Sequence, residues 1–237
     1  MRMYGGKGVV GKRISAVILE FLKDNPDAIY IEPFVGMCGV LKHMAVNFKK
    51  CYANDLQKDL IMLLKEVKNN KFENPKITRE KWLKLKYTTK SSAERAFAGF
   101  GCSFCGIWFN GFIDDSSNND MEYSSLLKLV PKLQNTVFSN KNYIDFLKEF
   151  PFNSSQKYVI YLDPPYKGTC NLPWPEFDSI QFWNIIRKLG KMKNIKVFIS
   201  EFSSPKDFKC ICSFKRRNGL HNITNDKIIL EEKLFTI

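Results

Sequence analysis

The chain has 237 residues, 44% of them hydrophobic and 14% aromatic, with a formal net charge of +13. That length buries one sizeable core with room for a small insertion, and that composition excludes a disordered chain. No apolar run nears the roughly 20 residues of a membrane span and the opening residues lack a signal peptide's apolar segment, so a cytosolic protein is expected, or one in whichever host compartment holds its substrate. The excess of Lys and Arg points to a polyanionic partner such as nucleic acid, with solvated surface lysines as the alternative.

The opening Arg2-Met3-Tyr4-Gly5-Gly6-Lys7 is a glycine loop ending in a lysine. Gly6 to Lys12 fits the spacing of a phosphate-binding loop, but Arg13 stands where a Mg-binding Ser or Thr is needed and there is hardly room for a strand upstream, so that reading is rejected. The loop reads instead as one whose glycines allow close backbone approach while Lys7 meets a carboxylate. Ile14, Val17, Ile18, Phe21 and Leu22 then recur at helical spacing between about Lys12 and Lys23.

Asp27 to Gly39, DAIYIEPFVGMCG, is a short buried strand (Ala28 to Ile31) stopped by Pro33, with Gly36 and Gly39 in the turn before a helix from about Val40 to Asn47. Strand, glycine turn and helix start together make a nucleotide or cofactor pocket. A second strand, Lys50 to Ala53, ends at Asn54-Asp55. Asp55, about 20 residues past the glycine turn, is placed either to bind ribose hydroxyls or to cap the helix Leu56 to Lys68.

From Asn69 to Pro131 the pattern turns polar and uneven, except for the glycine- and aromatic-dense Phe97 to Phe112, FAGFGCSFCGIWFNGF. Lys81, Lys84, Lys86, Lys90 and Arg95 flank that stretch, which suits base stacking and phosphate contact; a mini-core packing one helix on the main sheet is the alternative. A helix near Tyr123 to Leu133 and a strand Thr136 to Ser139 follow. Asn142-Tyr143 then open a helix, with Tyr143 either lining an adenine pocket or part of the core.

Tyr158 to Tyr166, YVIYLDPPY, reads as a buried parallel strand that Asp163-Pro164-Pro165-Tyr166 forces into a fixed turn, since neither proline has an N–H for the ladder. Active sites of open α/β sheets lie at such carboxyl ends. Asp163 offers an anionic acceptor, Pro164 its carbonyl and Tyr166 a flat face, a set that suits a flipped nucleobase carrying an exocyclic amine. A loop from Lys167 to Phe177, with Trp174 between two prolines, is a candidate lid. A helix from Ser179 to Lys191 and a strand from Lys196 to Ser200 come next, then two period-two segments, Phe208 to Phe214 and Ile228 to Ile237, as an antiparallel hairpin. The odd number of cysteines argues against a disulfide framework. Zinc binding by Cys102, Cys105, Cys210 and Cys212 lacks a supporting His, and buried free thiols are expected instead.

In this order, GGK, EPFVGxxG, ND, an SFxGxxFNG-like segment, DPPY and ISEF resemble the Dam-type adenine-specific DNA methyltransferases, with the short recognition region and the ending ISEF…DF…EEKLF nearest to phage and mobile-element members. The resemblance implies an α/β, Rossmann-like S-adenosylmethionine-dependent methyltransferase fold: a mostly parallel seven-stranded sheet with an antiparallel C-terminal hairpin and a small helical insertion. Residues 1–68 and 135–237 would form the catalytic domain and 69–134 the inserted target-recognition region. S-adenosylmethionine would be the cofactor and duplex DNA the partner, with no metal and no membrane, in a chain compatible with a monomer.

Carried over by position, Met3, Tyr4, Gly6 and Lys7 would close over the cofactor, Lys7 on its methionine carboxylate. Glu32, Phe34, Gly36 and Gly39 would line its methionine and sugar, Asp55 its ribose and Tyr143 its adenine. Asp163 and the Pro164 carbonyl would accept the target amine while Tyr166 stacks on the base. Lys90, Arg95, Trp108, Phe109 and Asn110 would contact nucleic acid. Met3 replaces a tryptophan of many relatives, and Cys38 a small residue such as Ala. RNA as substrate, and an inactive nucleic-acid-binding module, remain the other readings.

Overall fold

The computed structural model of the protein describes residues 1, 3–23, 27–165, 177–217 and 229–237, with the side chains of 229 and 230 excepted. Its strands are β1 (Ile29–Glu32), β2 (Cys51–Asn54), β3 (Thr136–Ser139), β4 (Tyr158–Leu162), β5 (Ile195–Glu201), β6 (Lys209–Arg217) and β7 (Ile229–Thr236). They form one sheet in the order β3-β2-β1-β4-β5-β7-β6. The first five run parallel, and β7 enters antiparallel between β5 and β6. This is the Rossmann-like architecture expected, antiparallel C-terminal hairpin included.

The parallel strands are apolar because both of their faces are covered. All five residues of β4 are buried. Alternate residues enter opposite layers: Val159 and Tyr161 join one core with Tyr30, Ala53 and Phe198, while Tyr158, Ile160 and Leu162 join another with Ile31, Val197 and Ile199. Helices α1 (Gly11–Leu22), α2 (Leu41–Met44) and α3 (Lys58–Lys68) fill the first layer. Helices α7 (Tyr143–Leu147) and α8 (Ser179–Gly190) fill the second.

Between α3 and β3 lie α4 (Arg79–Tyr87), α5 (Ala93–Ala96) and α6 (Ser116–Leu127), with α5 running on into a π-helical turn over Phe97–Gly101. Here the sequence reading needs correction. The helix expected near Tyr123 to Leu133 begins instead at Ser116, where the Asp115 carboxylate accepts the Ser117 N–H, and ends at Leu127. Its buried face is polar at Asn118, Asn119 and Glu122 and apolar only at Leu126, so no hydrophobic period betrays it. Asn118 donates to the Gly101 carbonyl at 3.0 Å, and Asn119 donates to the Ile77 carbonyl at 3.0 Å while accepting from the Cys102 thiol. Helix α4 buries a single residue, Trp82, and escapes the same test.

The expectation of buried thiols holds for Cys38, Cys51 and Cys102. It fails for Cys105, Cys210 and Cys212, which are partly or fully exposed, while Cys170 lies outside the described residues. A register shift between Cys210 and Cys212 interrupts the β6–β7 ladder on an edge strand. Among the described residues, no helix is long and apolar enough to cross a membrane.

Candidate active site

The carboxyl ends of β1, β2, β4 and β5 face the same edge of the sheet. Two glycines bring the amino-terminal loop onto this edge. A Cβ on Gly39 would lie 2.9 Å from the Lys7 main chain, and one on Gly11 would lie 2.0 Å from the Gly39 carbonyl. Main chain therefore packs directly on main chain, and the Lys7 backbone rests on the turn that follows β1. Tyr4 ties the loop to the insertion through its N–H, which donates to the Gly106 carbonyl at 3.0 Å. Gly6 closes the turn on the Met3 carbonyl, and the Met3 sulfur lies over Gly36, 3.6 Å from where a Cβ would stand.

So anchored, Lys7 turns inward and is 4% exposed. Its Nζ lies 2.6 Å from Asp163 Oδ1 and 3.2 Å from Glu232 Oε1, and donates to the Gly5 carbonyl at 3.4 Å. An ammonium has three hydrogens to give, and acceptors on the loop, at the end of β4 and on β7 surround it. The sequence foresaw a carboxylate for Lys7. In the structure that carboxylate belongs to the protein's own Asp163, joined by Glu232 of β7, which sequence reasoning missed. Its signal was a charged residue on the core-facing side of a period-two strand.

Further acids crowd the same edge. The Tyr30 hydroxyl donates to Glu32 Oε2 at 2.7 Å, and burial pushes the Glu32 carboxyl well above its ordinary range. Glu201 ends β5 and was also missed. Burial raises its pKa to about 7, an effect opposed by the Phe202 N–H and reinforced by the charge of Asp163. Pro164 is buried and Pro165 exposed behind Asp163; Tyr166, and the expected lid up to residue 176, lie outside the described residues.

Beside this cluster, Asp55 accepts the Gly36 N–H at 2.9 Å through one oxygen and the Gln57 N–H at 3.0 Å through the other. It thus braces the glycine turn against α3, whose cap is Gln57 rather than Asp55. Burial raises the Asp55 pKa against the opposing pull of those N–H groups. Half-exposed Phe34 packs on Tyr143 with ring centroids 5.1 Å apart, and on Phe177 at 6.0 Å. The buried Tyr143 hydroxyl has no hydrogen-bond partner among the described residues. An aromatic wall carrying one unanswered hydroxyl fits a flat heteroaromatic ligand with polar ring atoms.

The nucleic-acid candidates divide into two groups. Lys90 and Asn110 are exposed. Arg95, Trp108 and Phe109 instead form one stack, with the guanidinium 5.0 Å and 5.5 Å from the two ring centroids. Arg95 is engaged by Asp59 at 2.9 Å and by the Leu85 carbonyl at 3.0 Å, and Phe109 is 5% exposed, which leaves it no face for a base. This stack is the packing alternative that the sequence allowed.

Residues 5–98 match the family model of the D12 class N6 adenine-specific DNA methyltransferases. The resemblance read from the motifs is thereby borne out over the glycine loop, EPFVGMCG and the Asn54-Asp55 pair; DPPY lies beyond the matched segment. No curated protein matches the chain. Solved structures of similar fold include a precorrin 8w decarboxylase from Methanobacterium thermoautotrophicum, 8% identical with TM-score 0.44 over 94% of this chain and 88% of that one. A precorrin-6y C5,15-methyltransferase from Geobacter metallireducens is 8% identical with TM-score 0.42 over 94% and 85% of the two chains. The 23S rRNA methyltransferase ErmE is 9% identical with TM-score 0.43 over 95% and 66%.

Proposed function

We propose that the protein transfers a methyl group from S-adenosylmethionine to the exocyclic amine of an adenine flipped out of duplex DNA. The observation that carries this reading is the Lys7 ammonium seated on Asp163 at the carboxyl end of β4, beside the braced Gly36 turn and the Phe34–Tyr143 wall. The family matched by residues 5–98 supports adenine and DNA.

Each residue then has a task. Phe34 and Tyr143 hold the cofactor's adenine, with the Tyr143 hydroxyl directed to a ring nitrogen. Asp55 takes the ribose hydroxyls while its N–H partners keep the carboxylate fixed. Asp163, oriented through one oxygen by Lys7, accepts one hydrogen of the target amine and the Pro164 carbonyl accepts the other, while Tyr166 stacks on the base. Fixing both hydrogens aims the nitrogen lone pair along one line, and the proton that the amine sheds on methylation would leave along its hydrogen bond to Asp163 towards solvent. When bound, S-adenosylmethionine supplies a methyl group on a positively charged sulfur. Residues 69–134 serve as the recognition region, and the exposed Lys90 and Asn110 meet the duplex.

The deciding assay offers methyl-labelled S-adenosylmethionine with unmethylated duplex DNA, and with RNA in parallel, followed by digestion to nucleosides. Label in N6-methyldeoxyadenosine is the expected result. Label in RNA alone would replace the substrate, and no label despite cofactor binding would overturn the reading.

A further inference from the structure

Glu232 has a side chain that fold stability does not ask for. On β7 it shares a face with Leu234 and Thr236, both buried, and Leu234 belongs to the main core. Alternation therefore calls for an apolar residue at 232. A carboxylate stands there instead, 0% exposed, in the interior of the sheet. Withdrawing a carboxylate and an ammonium from water costs several kcal/mol each, and a well-packed apolar side chain of similar volume serves stability as well or better.

Its counter-ion explains the choice. Lys7 comes from a loop outside any helix or strand, and its flexible stem can carry the ammonium through a wide arc. A single ion pair with Asp163 fixes a distance and leaves the side chain free to pivot. A second carboxylate 3.2 Å away on a different strand fixes a position. β4 and β7 flank β5 on opposite sides, so the two acceptors hold the ammonium across the width of the sheet edge.

We infer that Glu232 is a positioning residue that holds the Lys7 ammonium on Asp163 and so fixes the orientation of the amine-accepting carboxylate. This rests on the reading of Asp163 as that acceptor. Glu232 touches neither methyl donor nor base; it acts through Lys7.

The test is a double-mutant cycle of Glu232→Gln and Lys7→Met, with Glu232→Asp as the conservative variant. Glu232→Gln keeps the shape and removes the charge. It is expected to lower kcat about 10- to 100-fold at nearly unchanged KM for DNA, and to add little once Lys7 is already Met, because the two act as one unit. Glu232→Asp is expected to recover part of the loss. A kcat of Glu232→Gln equal to that of the unaltered protein, or losses that multiply in the double variant, would overturn the inference. A second arm needs no turnover: labelling of lysines with acetic anhydride, followed by peptide mass spectrometry. Lys7 is expected to resist labelling in the unaltered protein and to react in Glu232→Gln; equal labelling would again overturn it. Failure of the unaltered protein to methylate any nucleic acid would sink the functional reading alone, and the labelling arm would still decide whether Glu232 holds Lys7.

Discussion

The edge that carries Asp163 and the segment between α3 and β3 are built on opposite principles. At the edge, charged and flexible groups are held by a rigid frame: strand ends, glycine-to-main-chain packing, and N–H groups on Asp55. In the insertion, the residues that look most functional are the frame. Trp82 donates from its indole to Ser103 at 3.0 Å, and Arg95 lies between Asp59 and the rings of Trp108 and Phe109. Aromatics interleaved with basic residues thus mean a surface or a core depending on what else satisfies them. The edge should accordingly lose activity without losing the fold when altered, and the insertion the reverse.

The sharpest way to break that contrast is Asp163→Ala. It is expected to reduce methyl transfer about 100- to 1000-fold while leaving DNA affinity per folded molecule close to unaltered, as read by initial rates and fluorescence anisotropy; some loss of melting temperature accompanies it, because a buried ammonium loses its nearest partner. Turnover near that of the unaltered protein would remove Asp163 from its role. In the insertion, Gly99→Ala is the counterpart. The added Cβ would lie 2.5 Å from the Trp108 ring, and overpacking of this kind costs about 2 kcal/mol, or about 4–8 °C in melting temperature for a chain of this size. Activity per folded molecule at low temperature should survive.

Asp59→Ala tests the same region through charge. Asp59 accepts from the Ser92 N–H at 2.7 Å as well as from Arg95, so its loss strands two partly buried donors at a cost of about 2–3 kcal/mol. Arg95→Ala should then add less in the Asp59→Ala background than alone. The smallest effect returns to the edge. Glu201 titrates at about 7 in the folded protein against an ordinary value of 4.5, so the unfolded chain releases that proton first. Its favourable contribution is complete below pH 4.5 and is lost as pH rises through 7. Melting temperature should fall across that window, and Glu201→Gln should flatten the decline; an unchanged slope would assign it to another group.

Legibility followed the same division. The β4 strand, the Pro-Pro stop and the Gly36–Gly39 turn could be read because each constraint acts on residues adjacent in sequence. The Lys7–Asp163 pair could be half read: a lysine that needs a carboxylate was visible, its identity was not. Glu232 and Glu201 stayed hidden because they matter through neighbours far away in the chain. Helix α6 was misplaced because Asn118 and Asn119 bury amides, and hydrophobic periodicity is blind to amides. Composition around a ring does not reveal whether its faces are covered, as they are for Phe109.

The contact between Lys7 and Glu232 also has a kinetic meaning. It closes almost the entire chain into a single loop, and such contacts form after local ones because their closure entropy must first be offset by the sheet between them. Strand β7, which carries Glu232, pairs with β6 in the hairpin and with β5 in the body of the sheet. A nascent chain still lacking β7 can hold its glycine turn, its aromatic wall and even Asp163 while its lysine remains unanchored. On the proposed reading, anchoring of Lys7 by Glu232 would therefore follow the local contacts of the glycine turn.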